Sequence, residues 1–204
     1  MSTENLADME IRPTIGKGSL TDYRYREGNN RLGLWLFIIS DSFVFAGLLI
    51  SRYYLLGFNY HPDVNQILGI AVTVMLVISS YFMFRAETLM KFGDIRGFTR
   101  NALVTMILGA LFLIGVVGVE WQIAPAGPND GAVWSLFYTM TGFHAFHVFT
   151  GLILLFVVWR KARMGKYNAD RHWGVEAAAV YWHFVDVVWF FFYPALYLIG
   201  RPII

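Results

Sequence analysis

Five apolar stretches, each long enough to cross a lipid bilayer, constrain this chain more than any other feature of its sequence. A hydrocarbon core of about 30 Å requires about 20 residues in a helix. The stretches are Leu32–Leu56, Val64–Phe84, Asn101–Glu120, Val133–Trp159 and Val175–Gly200. They predict an all-α, polytopic bundle of five transmembrane helices. We expect a polar N-terminal segment over residues 1–31 and one five-helix domain over residues 32–204.

The composition supports a membrane protein and excludes several kinds of site. Only 15% of the residues are charged, whereas a soluble domain carries about 25%. The chain has no cysteine, which excludes disulfides, thiolate metal sites and an attached c-type haem. It contains no nucleotide fingerprint or phosphate loop. Its basic loops are short and are explained by membrane topology, so nucleic-acid binding is not expected.

The placement of lysine and arginine predicts the orientation of the bundle. The loops Gly57–Asp63 and Trp121–Ala132 contain neither residue, and loops rich in both stay in the cytoplasm. We therefore expect the N-terminus in the cytoplasm and the C-terminus outside. Arg52 and Arg201 are exceptions near outer helix ends, where long side chains can reach the interface. The basic residues of the predicted cytoplasmic side are Arg12, Lys17, Arg24, Arg26, Arg31, Arg85, Lys91, Arg96, Arg100, Arg160, Lys161, Arg163, Lys166 and Arg171.

Ionisable residues inside the apolar stretches are the candidate functional residues, because such groups are costly at mid-bilayer and usually have a partner or a role. On the fifth stretch, Glu176, His183 and Asp186 lie within an arc of roughly 80°. The helical rise places one group of side chains at similar depths, about 12–22 Å from the cytoplasmic edge. That group is Asp41, His144, His147, His183 and Asp186. The sequence therefore predicts that these helices face one another and that the side chains pair.

The two remaining candidates lie near the edges, Glu176 at the cytoplasmic side and Glu120 at the outer side.

Asp41 has no lysine or arginine within two turns on its face. Because desolvation disfavours the charged form, we expect Asp41 to be protonated and to donate a hydrogen bond.

Three interpretations of this polar layer remain open. The first is hydrogen bonding that holds the bundle in register, and the second is proton handling by some carboxylates. The third is a haem or metal site at His144 and His147. Their i, i+3 spacing is too close for two separate haems, and a single metal would need further ligands, with only His183 nearby. We therefore expect no metal and no cofactor in this chain. Since the sequence shows no nucleophile–base arrangement, we also expect no catalytic residue.

Several runs resemble subunit III of the haem–copper terminal oxidases. Residues 176–189 read EAAAVYWHFVDVVW, similar to the family pattern E-x-x-x-x-Y-W-H-F-V-D-V-V-W. Residues 137–148 read FYTMTGFHAFHV, in which Ala145 replaces a glycine. Residues 33–47 read GLWLFIISDSFVFAG, in which Asp41 replaces the family's glutamate. The third stretch ends with the family's acidic-aromatic pair, Glu120 and Trp121, although Val117 stands in place of a glutamine.

The resemblance implies a non-redox subunit of a respiratory oxidase in the bacterial plasma membrane. The haems and copper would belong to partner subunits I and II, in a complex that reduces oxygen and translocates protons. This chain would stabilise the catalytic subunit, bind phospholipid and sustain proton uptake. Trp35, Arg52 and Trp182 are the lipid-contact candidates.

The resemblance leaves alternatives open. The electron donor could be cytochrome c or quinol, although the intact run at 176–189 favours cytochrome c. An accessory subunit of a nitric oxide reductase is the closest rival, since it shares the five-helix plan. A free-standing haem-binding or transport protein is an alternative of a different class.

Overall fold

The computed structural model describes residues 20–57, 59–60, 65–199 and 201–202. Most of the predicted N-terminal segment, and His61 with most of the first loop, therefore lie outside the described residues. The helices are α1 (Leu20–Leu56), α2 (Gln66–Lys91), α3 (Ile95–Leu113), α4 (Trp121–Ile123), α5 (Ala132–Arg163) and α6 (Trp173–Tyr193). Two π-helical segments extend α3 and α6, namely π1 (Ile114–Glu120) and π2 (Pro194–Leu198).

Five of these helical stretches are long and apolar enough to cross a membrane, which confirms the predicted all-α bundle with five spans. They are Tyr25–Leu56, Gln66–Lys91, Ile95–Ile123, Ala132–Arg163 and Trp173–Leu198. Their ends extend past the apolar stretches where polar residues continue the helix. The segment predicted as a loop after the second span is thus reduced to a short turn between Lys91 and Ile95.

The turn between α2 and α3 explains why these helices form an antiparallel hairpin. Gly93 adopts a positive φ of 79°, which residues with a side chain rarely tolerate. Asp94 then begins α3 as its N-cap, and its Oδ1 accepts a hydrogen bond of 2.8 Å from the Gly97 amide. This cap satisfies an amide that has no partner within the helix.

Helix α6 lies at the centre of the bundle and packs against α1, α2 and α5, while α3 packs against α2 and α5. Trp182 on α6 fills the core. Its ring packs against Gly109 on α3 and Gly151 on α5, where an added Cβ would come within 2.5 Å and 3.1 Å of the indole. Small residues at these two positions let the helices approach closely.

Backbone pairing joins the segment that follows the first span to the segment that follows the last span. Two short strands, β1 (Asn59–Tyr60) and β2 (Arg201–Pro202), pair in parallel. The segment after α1 is thereby joined to the segment after π2, so the first and last spans are held side by side at the end that the charge pattern predicts to be external.

Candidate functional site

Asp41 and His147 form a polar contact between α1 and α5 in the middle of the bundle. His147 Nε2 lies 3.1 Å from Asp41 Oδ2, although the two atoms are not aligned for a regular hydrogen bond. The other ring nitrogen, Nδ1, lies 2.7 Å from the carbonyl oxygen of Phe143. The structure thus brings together two of the residues that the sequence placed in one layer.

The Phe143 contact fixes the tautomer of His147. A carbonyl oxygen can only accept, so Nδ1 must carry a proton. Nε2 is therefore the ring nitrogen that faces Asp41. This polar contact lowers the cost of keeping a carboxyl group at mid-membrane.

Apolar rings enclose this pair. The centroid of Phe45 lies 4.8 Å from the His147 ring, and that of Phe143 lies 4.9 Å from it. Tyr181 on α6 closes one end, with its hydroxyl 2.8 Å from Thr150 Oγ1 and donating to the His147 carbonyl at 3.3 Å. Helices α1, α5 and α6 therefore meet around the Asp41–His147 pair.

His183 and Asp186 lie on a different side of α6, toward α2. His183 Nδ1 lies 2.7 Å from the hydroxyl of Ser80, a partner that the sequence analysis did not identify. Neither carboxyl oxygen of Asp186 makes a hydrogen bond of regular geometry among the described residues, although the same Ser80 hydroxyl interacts with this carboxyl group. Both side chains line a pocket of about 260 Å³ between α2 and α6.

His144 does not take part in either contact. Its imidazole is fully buried and lies against Trp189, with ring centroids 4.8 Å apart, and edge-on to Phe112 at 5.5 Å. Within the described chain neither ring nitrogen has a hydrogen-bond partner. The expectation that all five mid-membrane side chains pair is therefore wrong for His144, which lies against aromatic rings, and Asp186 makes no regular hydrogen bond within the described residues either.

Glu120 and Tyr197 connect the two π-helical segments. The Tyr197 hydroxyl donates a 2.6 Å hydrogen bond to Glu120 Oε1, and both residues are buried. Glu120 Oε2 has no partner in the part of the chain that the structure describes. A π-helical turn inserts an extra residue and so rotates the side chains that follow it. The sequence predicted the depth of Glu120 but not its partner.

Glu176 belongs to a cluster at the end of the bundle predicted to be cytoplasmic. Its Oε2 lies 2.9 Å from Arg31 Nη2, and its Oε1 lies 3.0 Å from His172 Nε2. Arg31 also contacts Glu27 at 3.0 Å and lies over the ring of Trp173. These contacts join the beginning of the α6 span to α1.

The three lipid-contact candidates occupy different environments. Trp35 is 52% exposed on the outer surface of α1, whereas Arg52 is 1% exposed and lies inside the bundle. Arg52 Nε donates to the carbonyl of Ala195 and Nη1 donates to that of Gly57, each at 3.1 Å. Trp182 is buried and donates from Nε1 to Ser79 Oγ at 3.1 Å.

The expectation that Arg52 extends to the membrane interface is therefore wrong for this structure. Carbonyl groups at helix ends lack partners within the helix. Gly57 follows α1, and Ala195 lies where α6 passes into π2, so the guanidinium turns inward to bind both.

No group of three or more histidine, aspartate or glutamate side chains lies close enough to hold a metal ion within the described residues. His147 contacts Asp41 and His183 contacts Ser80, while His144 lies among aromatic rings. The described histidines of the polar layer thus lie in separate environments rather than around one centre.

Comparison with known proteins adds independent information. The family model described as cytochrome c oxidase subunit III matches residues 17–201. The chain is 37% identical to cytochrome c oxidase subunit 3 of Thermostichus vulcanus, over 83% of this chain and 87% of the relative. It is 34% identical to the Synechocystis sp. protein of the same name, over 93% and 84%. A mammalian relative of that name, from Dasypus novemcinctus, is 33% identical, over 83% and 69%.

Proposed function

The chain belongs to the cytochrome c oxidase subunit III family, and we propose on that premise that it is a cofactor-free subunit of a bacterial respiratory haem–copper oxidase. Subunits I and II of this complex would carry the haems and copper that reduce oxygen, with cytochrome c as the electron donor. The chain would lie in the plasma membrane, stabilise the catalytic subunit, bind phospholipid and sustain proton uptake. The cyanobacterial relatives, which this chain covers over 87% and 84% of their lengths, support the bacterial assignment.

The observation that carries the stabilising role is the Asp41–His147 pair. It joins α1 to α5 at mid-membrane, and Tyr181 joins the same site to α6. Because each side chain supplies a polar neighbour for the other inside an apolar bundle, the pair favours one arrangement of the three helices. A rigid bundle of this kind would hold a constant surface against the catalytic subunit.

The cytoplasmic-end cluster supports the role in proton uptake. His172 and Glu176 are titratable, lie 3.0 Å apart and are about one-sixth exposed. Arg31 Nη2 lies 2.9 Å from Glu176 Oε2. Titratable groups at a membrane surface can take up protons from the aqueous phase and deliver them to a neighbouring entry site.

The exposure of α1 supports phospholipid binding. Only 11% of the most apolar 18-residue segment of α1 is buried within the chain, whereas 50% of the corresponding segment of the last span is buried. An apolar helix with so little internal contact must be covered by lipid or protein. Trp35 lies on this surface toward the end predicted to be cytoplasmic, where amphipathic rings favour the membrane interface.

Removal of this chain from the purified oxidase tests the proposal. We expect the complex without it to retain its haem spectra and its initial rate with cytochrome c, while its activity decays faster during turnover and proton uptake slows. Adding back the chain should restore the lifetime. A complex that loses its haem centres when the chain is absent would indicate a role in assembly, and an unchanged lifetime would contradict the stabilising role.

A further inference from the structure

The central helix of this bundle exposes one face to the outside. Although α6 packs against three helices, Val187, Phe190 and Phe191 on α6 are all exposed. A pocket of about 340 Å³ lies between α1 and α6, and the 260 Å³ pocket lies between α2 and α6. Val187 lines both pockets. The two pockets and the exposed α6 face between them are called here the α6 valley.

The α2 side of the α6 valley contains polar groups. The two carboxyl oxygens of Asp186 make no hydrogen bond of regular geometry within the described chain, although the Ser80 hydroxyl interacts with this carboxyl group. The hydroxyl of Ser80 is within 2.7 Å of His183. Thr73 donates to the Gly69 carbonyl at 2.6 Å and accepts from Trp189 at 2.9 Å. The hydroxyl groups of this pocket are thus already engaged, and the Ser80 hydroxyl, which is held by His183, occupies at most part of the hydrogen-bonding capacity of Asp186.

The depth of Asp186 excludes a lipid headgroup as its partner. It follows Trp173, the first residue of the span, by 13 residues and precedes Leu198, the last, by 12. At 1.5 Å per residue these separations are about 20 Å and 18 Å. Headgroups lie outside a hydrocarbon core of about 30 Å, and acyl chains offer no hydrogen-bond donor. Contact with lipid alone would leave a desolvated carboxyl group unsatisfied, which is costly.

We infer that the α6 valley binds a transmembrane helix of a neighbouring oxidase subunit, and that a hydrogen-bond donor on that helix reaches Asp186. This inference rests on the proposed membership of a multisubunit oxidase. A helix lying between α1 and α2 would cover Val187, Phe190 and Phe191 and fill the two flanking pockets. Helix-in-groove binding of this kind places apolar side chains in pockets, and hydrogen bonds between helices add specificity within a membrane.

Asp41 is a second mid-membrane carboxyl group, and its surroundings can be compared with those of Asp186. Asp41 lies 3.1 Å from an imidazole of the same chain, whereas the interaction of Asp186 within the described residues is with the Ser80 hydroxyl, without regular hydrogen-bond geometry. A carboxyl group offers about four lone-pair sites, so Asp186 has room for a further donor from outside this chain.

Photocrosslinking in the intact complex tests the occupant of the α6 valley. The chain has no cysteine, so Val187→Cys introduces a single attachment point for a thiol-reactive photocrosslinker. Ile107→Cys on α3 is the matched control, because the side chains of Val187 and Ile107 are 54% and 52% exposed. They also lie at similar depths, about 21 Å and 18 Å from the starts of their spans. We expect the Val187 probe to form an adduct with another subunit and the Ile107 probe to form adducts with lipid only. Lipid adducts alone from Val187 would overturn the inference.

Substitution of Asp186 tests the hydrogen bond itself. Asp186→Asn preserves shape and hydrogen bonding and should keep the chain in the complex. Asp186→Leu should weaken its retention in mild detergent by about tenfold. The thermal unfolding of the full chain alone should change less than the retention with Asp186→Leu, because within the described chain only the irregular contact with Ser80 is lost. An equal loss of retention and of the isolated chain's stability would show that Asp186 acts only within the bundle.

These experiments separate the inference from the proposed function. If no other oxidase subunit copurifies with the unmodified chain, the proposed function fails. If the subunits copurify but the Val187 probe reaches lipid alone, the oxidase assignment stands and the docking site fails.

Discussion

His147 Nε2 lies 3.1 Å from Asp41 Oδ2, while His147 Nδ1 lies 2.7 Å from the Phe143 carbonyl. The position of one proton is thereby fixed on Nδ1, and Nε2 is the ring nitrogen that faces the carboxyl group. The sequence contained no lysine or arginine near Asp41, and the structure supplies an imidazole from another helix instead. The pair accounts for how a carboxyl group is held in the middle of a transmembrane bundle.

Substitutions of Asp41 should depend on whether hydrogen bonding is kept. Asp41→Asn can still donate a hydrogen bond to Nε2 of His147, so we expect the unfolding temperature of this variant to be close to that of the wild-type chain. Asp41→Leu leaves that nitrogen buried without a partner, which costs about 1–3 kcal/mol. Thermal unfolding of the purified full chain in detergent measures the difference. Equal stability of the Leu and Asn variants would contradict the pairing.

Removing the hydroxyl of Tyr197 should destabilise the outer half of the bundle. Tyr197→Phe takes away the donor to Glu120, whose other oxygen is already unpaired. We expect a loss of about 1–3 kcal/mol in the free energy of unfolding. Tyr193→Phe is the matched control, because that ring stacks on Tyr197 and its hydroxyl has no hydrogen bond within the described residues. The account would fail if both phenylalanine variants behaved alike.

Adding a methyl group at Gly109 should disturb the core around Trp182. The new Cβ would lie 2.5 Å from the indole, so the ring or a helix must move, at a cost of about 1–3 kcal/mol. Gly47→Ala on α1 provides the control, since nothing lies within 4 Å of its added Cβ. Unfolding midpoints of the two variants give the comparison, and a larger loss at Gly47 would count against this packing arrangement.

Single cysteines should report the orientation of the bundle. Phe92 lies in the turn between α2 and α3 and is highly exposed, and Asp130 lies in the exposed loop before α5. The positive-inside rule predicts that a thiol reagent confined to one side labels Phe92→Cys from the cytoplasm and Asp130→Cys from outside. Reversed labelling would overturn the predicted topology.

The five spans could be predicted from the sequence because hydropathy is a local property that reports directly on membrane insertion. The depth of Asp41 and His147 followed from the helical rise, which is also local. Their contact required only that α1 and α5 face each other, so the predicted layer anticipated it.

Other contacts could not be predicted, because they depend on side chains or geometry that carry no such signal. Ser80 and Tyr197 are common in apolar helices and nothing in the sequence marks them as partners of His183 and Glu120. The π-helical segments rotate the side chains that follow α3 and α6. A regular helix would therefore place the side chain of Glu120 on a different face. Arg52 turns inward because two backbone carbonyls lie within reach, and only the packed structure reveals them.

The visible absorption spectrum, taken before and after dissociation, tests most directly whether this chain is a cofactor-free oxidase subunit. The chain would be purified through an affinity tag in mild detergent and then separated from its partners. We predict haem absorbance and copper in the intact complex together with a larger subunit, and no haem absorbance in the separated chain. Haem that stays with the separated chain, or purification without any haem-containing subunit, would contradict the account.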